Sequence, residues 1–209
     1  MATIGQLAAG VAHELRNPLG IIRNSTFILH REYKEKDELK MMALNAIDNS
    51  VNRASNIIEN LLKFTRLTHD GREWINLKKI IIESTGLNKK SLDEHRIVLS
   101  IYCENDIKIY MNNESLKHIL MNLIQNAIDA MTGNGILQIC CFYDKDNVII
   151  QIKDNGIGIE EEKVDKVFEP FYTTKPIGKG TGLGLYIAYS EVQKVNGEIK
   201  VESEKNKGT

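Results

Sequence analysis

The chain has 209 residues, which exceeds most single domains and allows one or two. Its 27 Lys and Arg residues nearly balance 28 Asp and Glu residues, and the net charge of -1 excludes the basic surface of a general nucleic-acid or anionic-membrane binder. With 42% hydrophobic and 26% charged residues, the composition is that of a folded globular protein rather than a disordered or fibrous one.

The sequence shows no membrane or export signal. No apolar run approaches the roughly 18 residues of a membrane span. The N-terminal stretch MATIGQLAAGVAHE lacks the basic start and apolar core of a signal peptide. We therefore expect a cytoplasmic fragment without membrane contact.

Three cysteines, Cys103, Cys140 and Cys141, lie in apolar, strand-like runs. Their spacing is not that of metal ligands. We therefore expect buried, reduced thiols.

Residues 4 to 67 carry apolar side chains at helical spacing and contain one proline, Pro18. The charged stretch 33–38 breaks this pattern and predicts the turn of a helical hairpin whose first helix has roughly 28 residues. Six apolar positions then step by three and four residues and form a seam that packs one helix against others: Leu44, Ile47, Val51, Ala54, Ile58 and Leu61. Two helices cannot enclose a core, so we expect a homodimer whose hairpins form an antiparallel four-helix bundle.

After a polar linker at 68–72, short β-branched runs alternate with helical segments. The strand candidates are Ile97–Cys103, Ile107–Tyr110, Ile136–Tyr143, Val148–Lys153 and Glu198–Ser203. Helices are expected over 77–92, 113–131 and 184–195, and the polar cluster at 144–147 predicts an antiparallel hairpin turn. We therefore predict an α + α/β chain, with a helical hairpin at 1–68 and, at 69–209, an α/β sandwich with helices on one face of a mixed sheet.

The first motif is Ala12-His13-Glu14-Leu15-Arg16-Asn17-Pro18-Leu19. His13 falls between apolar positions, so its imidazole should face outward, where it is a competent nucleophile that Glu14 can orient by accepting a ring proton. Pro18 cannot donate to the carbonyl of Glu14, so we expect a kink one turn from His13. Asn17 lies on the same face as His13. Residue type alone favours the alternative, an ordinary surface histidine in a helix.

The second motif runs from Asn122 to Ala130. Asn122 and Asn126 are four residues apart, so their amides lie on one helix face, and amide oxygens suit a magnesium ion that already carries phosphate and water. Asparagines are also ordinary on the polar face of a helix.

The third motif is Asp154-Asn155-Gly156-Ile157-Gly158, which closes a predicted strand. Asp154 could accept a hydrogen bond from an exocyclic amine such as that of adenine, and Gly156 and Gly158 would let the backbone lie close to a flat ring. A plain Asn-Gly turn is the alternative.

The fourth motif runs from Phe168 to Lys175 and on to Leu185. Its glycine-rich part, from Gly178 to Gly184, leaves backbone amides free to wrap anionic oxygens at the start of a helix. Lys175 and Lys179 add local positive charge. The spacing is neither that of a Walker loop nor that of a dinucleotide fingerprint, and a glycine-rich linker is the alternative.

In order and spacing, these motifs resemble the transmitter region of the sensor histidine kinases of two-component systems, over nearly the whole chain. The match of each segment to a family motif is as follows: His13–Leu19 to the H box, Asn122–Ala130 to the N box, Asp154–Gly158 to the first glycine box, Phe168–Lys175 to the F box and Gly178–Leu185 to the second glycine box. The spelling of the H and N boxes resembles nitrogen-regulation and sporulation kinases.

The resemblance implies a dimerisation and histidine-phosphotransfer hairpin followed by a Bergerat-type ATP-binding domain. ATP would lie between the N-box helix and the glycine-rich lid. The resemblance implies that Asn126 is a ligand of Mg²⁺ and that Asn122 lies near the phosphates. It implies that Asp154, with Gly156 and Gly158, lies at adenine. Along the lid it implies contacts from Gly180, Thr181, Gly182, Leu183 and Gly184, with Lys175 or Lys179 near the transferred group.

The resemblance also implies the reaction. His13 would become phosphorylated with Glu14 as base, and the phosphoryl group would pass to an aspartate on the receiver domain of a response regulator. Asn17 would assist the reverse, phosphatase reaction on that regulator.

Two departures from the family pattern stand at the ends of the chain. The family continues after a Gly-Thr pair with a further apolar strand, whereas this sequence stops at Gly208-Thr209. We expect either a truncated chain or a disordered end, and a sheet that lacks an edge strand. No sensor domain precedes Met1, so we expect the signalling core of a longer receptor, for which a membrane anchor stays open.

Two other classes of function stay open at this stage. One is a different Bergerat ATPase, of the DNA gyrase, mismatch-repair or heat-shock type, although a histidine in a dimerising hairpin argues against it. The other is a dimeric scaffold that binds a regulator without phosphorylating it, although Asn126, Asp154 and the lid glycines argue against that.

Overall fold

The computed structural model describes residues 2–30, 37–66, 71–104, 106–176 and 180–209. Within the first two helices, side chains are described from Leu15 to Leu29 and, with some omissions, from Glu38 to Ile58. The chain folds into two compact units. One comprises 1–66 with 170–183, the other 67–169 with 184–209, and each is described by itself.

Two long helices form the hairpin of the first unit, as predicted. Helix α1 spans Ala2–His30 and α2 spans Asp37–Arg66, and the two pack against each other. Most of the predicted turn, at 33–36, lies outside the described residues. Three seam positions, Leu44, Val51 and Ile58, remain 45–46% exposed. The hairpin therefore leaves an apolar stripe open to a further partner.

The second unit contains five strands and five helices among its described residues. They are β1 (Arg72–Asn76), α3 (Leu77–Leu87), α4 (Lys89–Glu94), β2 (Val98–Cys103), β3 (Lys108–Asn112), α5 (Asn113–Ala130), β4 (Ile136–Asp144), β5 (Asn147–Asp154), α6 (Glu161–Val164) and α7 (Gly184–Lys194). Strands β2 and β4 are parallel, and β4 and β5 form the predicted antiparallel hairpin, which gives a mixed sheet in the order β2-β4-β5.

Two helices of this unit begin in the same way. Asn76 ends β1 and accepts a hydrogen bond at Oδ1 from the backbone N–H of Lys79, which caps α3. Asn112 ends β3 and accepts from the N–H of Ser115 at 2.9 Å, which caps α5. Each asparagine side chain satisfies an amide that the first helical turn leaves unpaired, so both strand-to-helix junctions are fixed locally.

The core lies between α5 and one face of the mixed sheet. Ile124 and Ile128 of α5 are fully buried, as are Leu137 and Ile139 of β4. This packing fixes the helix that carries the two asparagines against the sheet whose last strand ends at Asp154.

The sheet prediction was wrong at two places. Residues Arg72–Asn76, taken in part as linker, form β1, which pairs with β3 in a second, two-stranded sheet where the rings of Trp74 and Tyr110 lie 5.5 Å apart. Residues 198–203 alternate between exposed and half-buried as a strand would, but they belong to neither of the described sheets. Alternation shows an extended backbone, whereas a strand also needs a hydrogen-bonded neighbour.

The prediction of three reduced thiols was also wrong for two cysteines. Cys103 of β2 and Cys141 of β4 are joined in a disulfide, and Cys140 is free. The two residues are opposite each other in the parallel ladder, with Cα atoms 4.6 Å apart, which lies within the range that a disulfide spans. Strand register created this pair, and register is not visible in either strand alone.

None of the described helices is both long enough and apolar enough to span a membrane.

Candidate functional site

As predicted, Asp154 lies at the end of a strand, β5, and the structure shows that it is buried. It is 6% exposed, and one carboxylate oxygen, Oδ1, accepts a hydrogen bond from the backbone N–H of Gly156 at 2.8 Å. Burial raises the pKa of Asp154, and hydrogen bonds from the backbone of Gly156 and Thr209 partly offset that rise. The arrangement is a fixed hydrogen-bond acceptor in a mostly dry setting.

The loop after Asp154 packs against two other segments. The N–H of Ile157 donates to the carbonyl of Ala130 at 3.0 Å, which anchors the loop to the end of α5. Gly158 has φ +62°, and a Cβ there would lie 2.1 Å from the carbonyl oxygen of Glu204. A side chain at 158 is thus excluded by backbone on one side, which leaves glycine as the residue that fits.

Gly208 and Thr209 lie beside the backbone of Asp154 and were not among the predicted site residues. We call these two residues the Gly208-Thr209 shelf. The N–H of Asp154 donates to the carbonyl of Thr209 at 2.9 Å, and the hydroxyls of Thr209 and Ser203 are 2.9 Å apart. The sequence contained a signal for these residues, because Gly208-Thr209 matches a Gly-Thr pair of the family that the chain resembles.

As predicted, Asn122 and Asn126 lie one turn apart on one helix, α5. Both are half-buried. Gly184 begins α7, and a Cβ at that position would lie 3.1 Å from Oδ1 of Asn122. The second unit therefore brings the start of α7 directly against the first asparagine. Within it, the loop after Asp154 also contacts the end of α5, at Ala130, four residues after Asn126.

Residues 170–183, which hold most of the predicted lid, belong to the other unit and fold back on themselves. The N–H of Phe171 donates to the carbonyl of Gly182 at 2.9 Å, and the N–H of Lys175 donates to the hydroxyl of Thr173 at 3.2 Å. Thr181 accepts from the N–H of Leu183, whose side chain is buried. Gly180 is among the described residues, whereas Gly178 and Lys179 lie outside them.

The H box lies on α1. His13 and Glu14 are helical, but their side chains lie outside the described residues. Asn17 is exposed and Pro18 is buried, and α1 continues through the proline. The outward orientation of His13 and the kink at Pro18 stay predictions.

A magnesium ion at Asn126 would need ligands from its nucleotide. Among the described residues, no three His, Cys, Asp or Glu side chains cluster to hold a metal. Amide oxygens of one or two asparagines with phosphate and water oxygens are a donor set that magnesium accepts, so the residues fit this role.

Comparison with family models gives two matches in the predicted order. Residues 3–70 match the His Kinase A (phospho-acceptor) domain, and residues 111–209 match the histidine kinase-, DNA gyrase B-, and HSP90-like ATPase. The chain is 31% identical, with a TM-score of 0.59, to a catalytic domain of histidine kinase ThkA, over 65% of this chain and 89% of that one. The chain belongs to the sensor histidine kinase family. The ATPase model also covers DNA gyrase B and HSP90, and the phospho-acceptor match at 3–70 is what favours a histidine kinase over those ATPases.

Whole-chain relatives agree with this assignment. The histidine kinase chain is 33% identical to sporulation kinase A of Bacillus subtilis (100% of this chain, 34% of the relative) and 33% identical to the signal transduction histidine-protein kinase AtoS of Escherichia coli (97% and 33%). The structure of ThkA in complex with response regulator TrrA is similar over 99% of this chain and 60% of that one, with a TM-score of 0.75 and 27% identity. The chain thus spans about a third of the length of these curated relatives.

Proposed function

We propose that this chain transfers the γ-phosphoryl group of ATP to His13 and then passes it to an aspartate on the receiver domain of a response regulator. In this proposal residues 1–68 dimerise and carry the histidine, and residues 69–209 bind ATP. The observation that best supports this proposal is that Asp154 is a buried hydrogen-bond acceptor held at the end of a strand. It follows, in the same chain, a segment that matches a phospho-acceptor domain.

At the base end, we propose that Asp154 accepts a hydrogen bond from the exocyclic amine of adenine. A buried acceptor rejects a ligand that cannot satisfy it, so it provides specificity as well as affinity. Gly156 lets this loop lie close to the carbonyl of Ala130 at the end of α5, and Gly158 lets it lie close to the backbone of Glu204. The Gly208-Thr209 shelf supports the acid from the other side.

At the phosphate end, we propose that Asn122 and Gly184 bind phosphate oxygens, together with the backbone amides of Gly180, Thr181, Gly182 and Leu183. Their contact supports a shared role for Asn122 and Gly184. Lys175 and Lys179 would neutralise part of the charge. Magnesium, when bound at Asn126, supplies positive charge that offsets the charge of the phosphate oxygens.

In the transfer step, a ring nitrogen of His13 donates its lone pair to the γ-phosphorus. The bond from that phosphorus to the β–γ bridging oxygen breaks, and ADP leaves with the electron pair. Glu14 accepts the proton from the other ring nitrogen, which keeps the imidazole neutral and nucleophilic. Alignment and charge neutralisation provide most of the rate in such transfers.

The partners follow from the hairpin. Its open apolar stripe supports a homodimer in which a second copy covers Leu44, Val51 and Ile58. The similarity to a kinase solved in complex with a response regulator supports such a regulator as phosphoryl acceptor. We further propose that the exposed Asn17, one turn after His13, positions water for dephosphorylation of that regulator.

The test is labelling with γ-³²P-ATP and magnesium. Wild type and His95→Gln should acquire an acid-labile, alkali-stable label, because His95 is an exposed histidine at the end of α4. His13→Gln should remain unlabelled while it still binds ADP. Label that persists in His13→Gln would refute His13 as acceptor, and a wild type that binds ATP and regulator without any label would indicate a scaffold.

A further inference from the structure

A buried carboxylate joins helices α5 and α7. Glu191 and Ser115 are each 3% exposed, and the hydroxyl of Ser115 donates to Oε2 of Glu191 at 2.7 Å. Nζ of Lys194 donates to Oε1 of the same carboxylate at 2.6 Å. Both carboxylate oxygens therefore have a partner, as a buried charge requires.

The position of Glu191 is one where an apolar side chain is expected. The buried face of α7 consists of Ile187, Ala188 and Glu191, which are spaced as the core-facing stripe of an amphipathic helix. Apolar residues at both 115 and 191 would stabilise the fold about as well, because replacing a whole buried polar pair by apolar groups is often neutral or stabilising. Stability alone thus gives no reason for the Ser115–Glu191 pair in place of two apolar residues.

The second observation is the register of the two helices. Ser115 precedes Asn122 by two turns on α5, and Glu191 follows Gly184 by two turns on α7. Because Ser115 bonds Glu191 and Asn122 contacts Gly184, the two helices run antiparallel and meet at two matched levels. The hydrogen bond between Ser115 and Glu191 therefore fixes the axial position of α7 along α5, and with it the contact between Gly184 and Asn122.

We propose that Ser115 and Glu191 are positioning residues that set the axial register of α7 on α5. Apolar packing is non-directional and tolerates small slides along a helix, whereas a charge-assisted hydrogen bond does not. The device holds Asn122 and Gly184 at the spacing that the phosphates need. The register of α7 on α5 does not depend on the proposed function; only its benefit for ATP binding rests on that proposal.

The test uses two substitutions of the acid. Glu191→Leu removes the hydrogen bond and leaves the buried hydroxyl of Ser115 without this partner, so both the melting temperature and the affinity for a non-hydrolysable ATP analogue should fall, the affinity by about tenfold. Glu191→Leu combined with Ser115→Ala replaces the whole pair by apolar groups, so the melting temperature should recover while the affinity stays about tenfold below wild type. Glu191→Gln keeps an acceptor for Ser115 and should restore affinity to within about twofold of wild type. If affinity simply follows the melting temperature across these variants, the positioning role is refuted.

The serine provides a matched pair. Ser115→Ala should weaken binding as Glu191→Leu does, whereas Ser84→Ala should not, because Ser84 is equally buried in α3 and its hydroxyl has no hydrogen-bond partner among the described residues. Equal losses in both alanine variants would overturn the proposal.

A readout without nucleotide separates this inference from the proposed function. The ¹H–¹⁵N signals of the side-chain amide of Asn122 should shift in Glu191→Leu and stay in place in Glu191→Gln. If the wild type does not bind ATP, the proposed function is refuted, but the Asn122 amide signals still test whether Glu191 sets the register of α7. Signals that do not move in Glu191→Leu would refute the register device, whatever the kinase activity.

Discussion

The backbone N–H of Asp154 donates to the carbonyl oxygen of Thr209 at 2.9 Å, so the acid at the end of β5 is tied to a residue 55 positions later in the sequence. Ser203 strengthens this tie, because its hydroxyl donates to the carbonyl of Gly208 at 2.9 Å and also contacts the hydroxyl of Thr209. The position of the acid therefore depends on the 203–209 segment as much as on its own strand.

Gly208→Ala should destabilise the protein by about 1–3 kcal/mol and weaken ADP binding. Gly208 has φ +103°, and a Cβ there would lie 2.0 Å from the carbonyl oxygen of Asp154. The 203–209 segment would therefore have to shift away from Asp154, which weakens the hydrogen bond between Asp154 and Thr209. Urea denaturation and calorimetric ADP titration measure the two effects. The control is Gly86→Ala in α3, where a Cβ meets no described atom within 4 Å and should raise stability slightly. Equal stability in both variants would contradict the tie.

Asp154→Asn should lower ADP affinity about ten- to a hundredfold, because a buried acceptor for the adenine amine is altered. Its stability effect should depend on pH. Because burial raises the pKa of Asp154, the native state holds its proton more tightly than the unfolded chain, and the charge costs stability at neutral pH. The variant should therefore be most stable relative to wild type near pH 7, and this difference should shrink as the pH falls toward 3.8. Urea titrations across pH measure it, and a difference that grows on acidification would contradict the burial effect.

Glu160 should contribute stability with the opposite pH dependence. Hydrogen bonds and charge attraction from Lys163 and Lys205 lower the pKa of Glu160 to about 2. A lowered native pKa means that the contribution is complete above the ordinary value of 4.5 and is lost as the pH falls from there toward 2. Glu160→Gln should thus be less stable than wild type at pH 7 and equal to it near pH 2.

Salt provides the check on that mechanism. The Glu160 pairs are exposed, so 1 M NaCl should remove most of the difference at pH 7. Glu198→Gln is the matched control, because Glu198 forms one exposed pair with Lys200 and should show a smaller effect. A Glu160 effect that is independent of salt would refute an ionic origin.

Reduction should lower the stability of the second unit by about 2–4 kcal/mol, because the Cys103–Cys141 bond closes a loop with a sequence separation of 38 residues. Mass spectrometry of peptides digested without reductant detects the bond directly. Cys141→Ser should abolish the effect of reductant on the melting temperature, and Cys140→Ser should preserve it, because Cys140 is free. Unlinked Cys103 and Cys141 in the oxidised sample would refute the bond.

Local pattern was enough to predict several parts of the site. Asn122 and Asn126 lie on α5 because the helix needs only its asparagine cap and its apolar stripe, both visible in the sequence. Asp154 ends β5 because the Asp-Asn-Gly stretch stops a β-branched run. These features depend on residues within a few positions of one another, where propensity and periodicity apply.

Features that depend on distant pairing were not predictable in this way. The disulfide needs the register of β2 on β4, β1 needs β3 as a partner, and the shelf beside Asp154 needs the chain to return after 55 residues. The Ser115–Glu191 bond is of the same kind, since α5 and α7 are far apart in sequence. Such contacts are set by packing, which a single strand or helix does not encode.

Asn126→Ala should weaken ATP binding in magnesium by about tenfold, because one oxygen ligand of the proposed ion is removed. With EDTA in place of magnesium, the variant and wild type should bind equally. Gln125→Ala is the control from the neighbouring position, where the side chain is exposed and donates to Asp129 at 2.7 Å, and it should bind as wild type does under both conditions. Calorimetric titration in the two buffers decides the matter: a loss of affinity that persists in EDTA would assign Asn126 to the nucleotide itself or to the fold of α5 rather than to the ion.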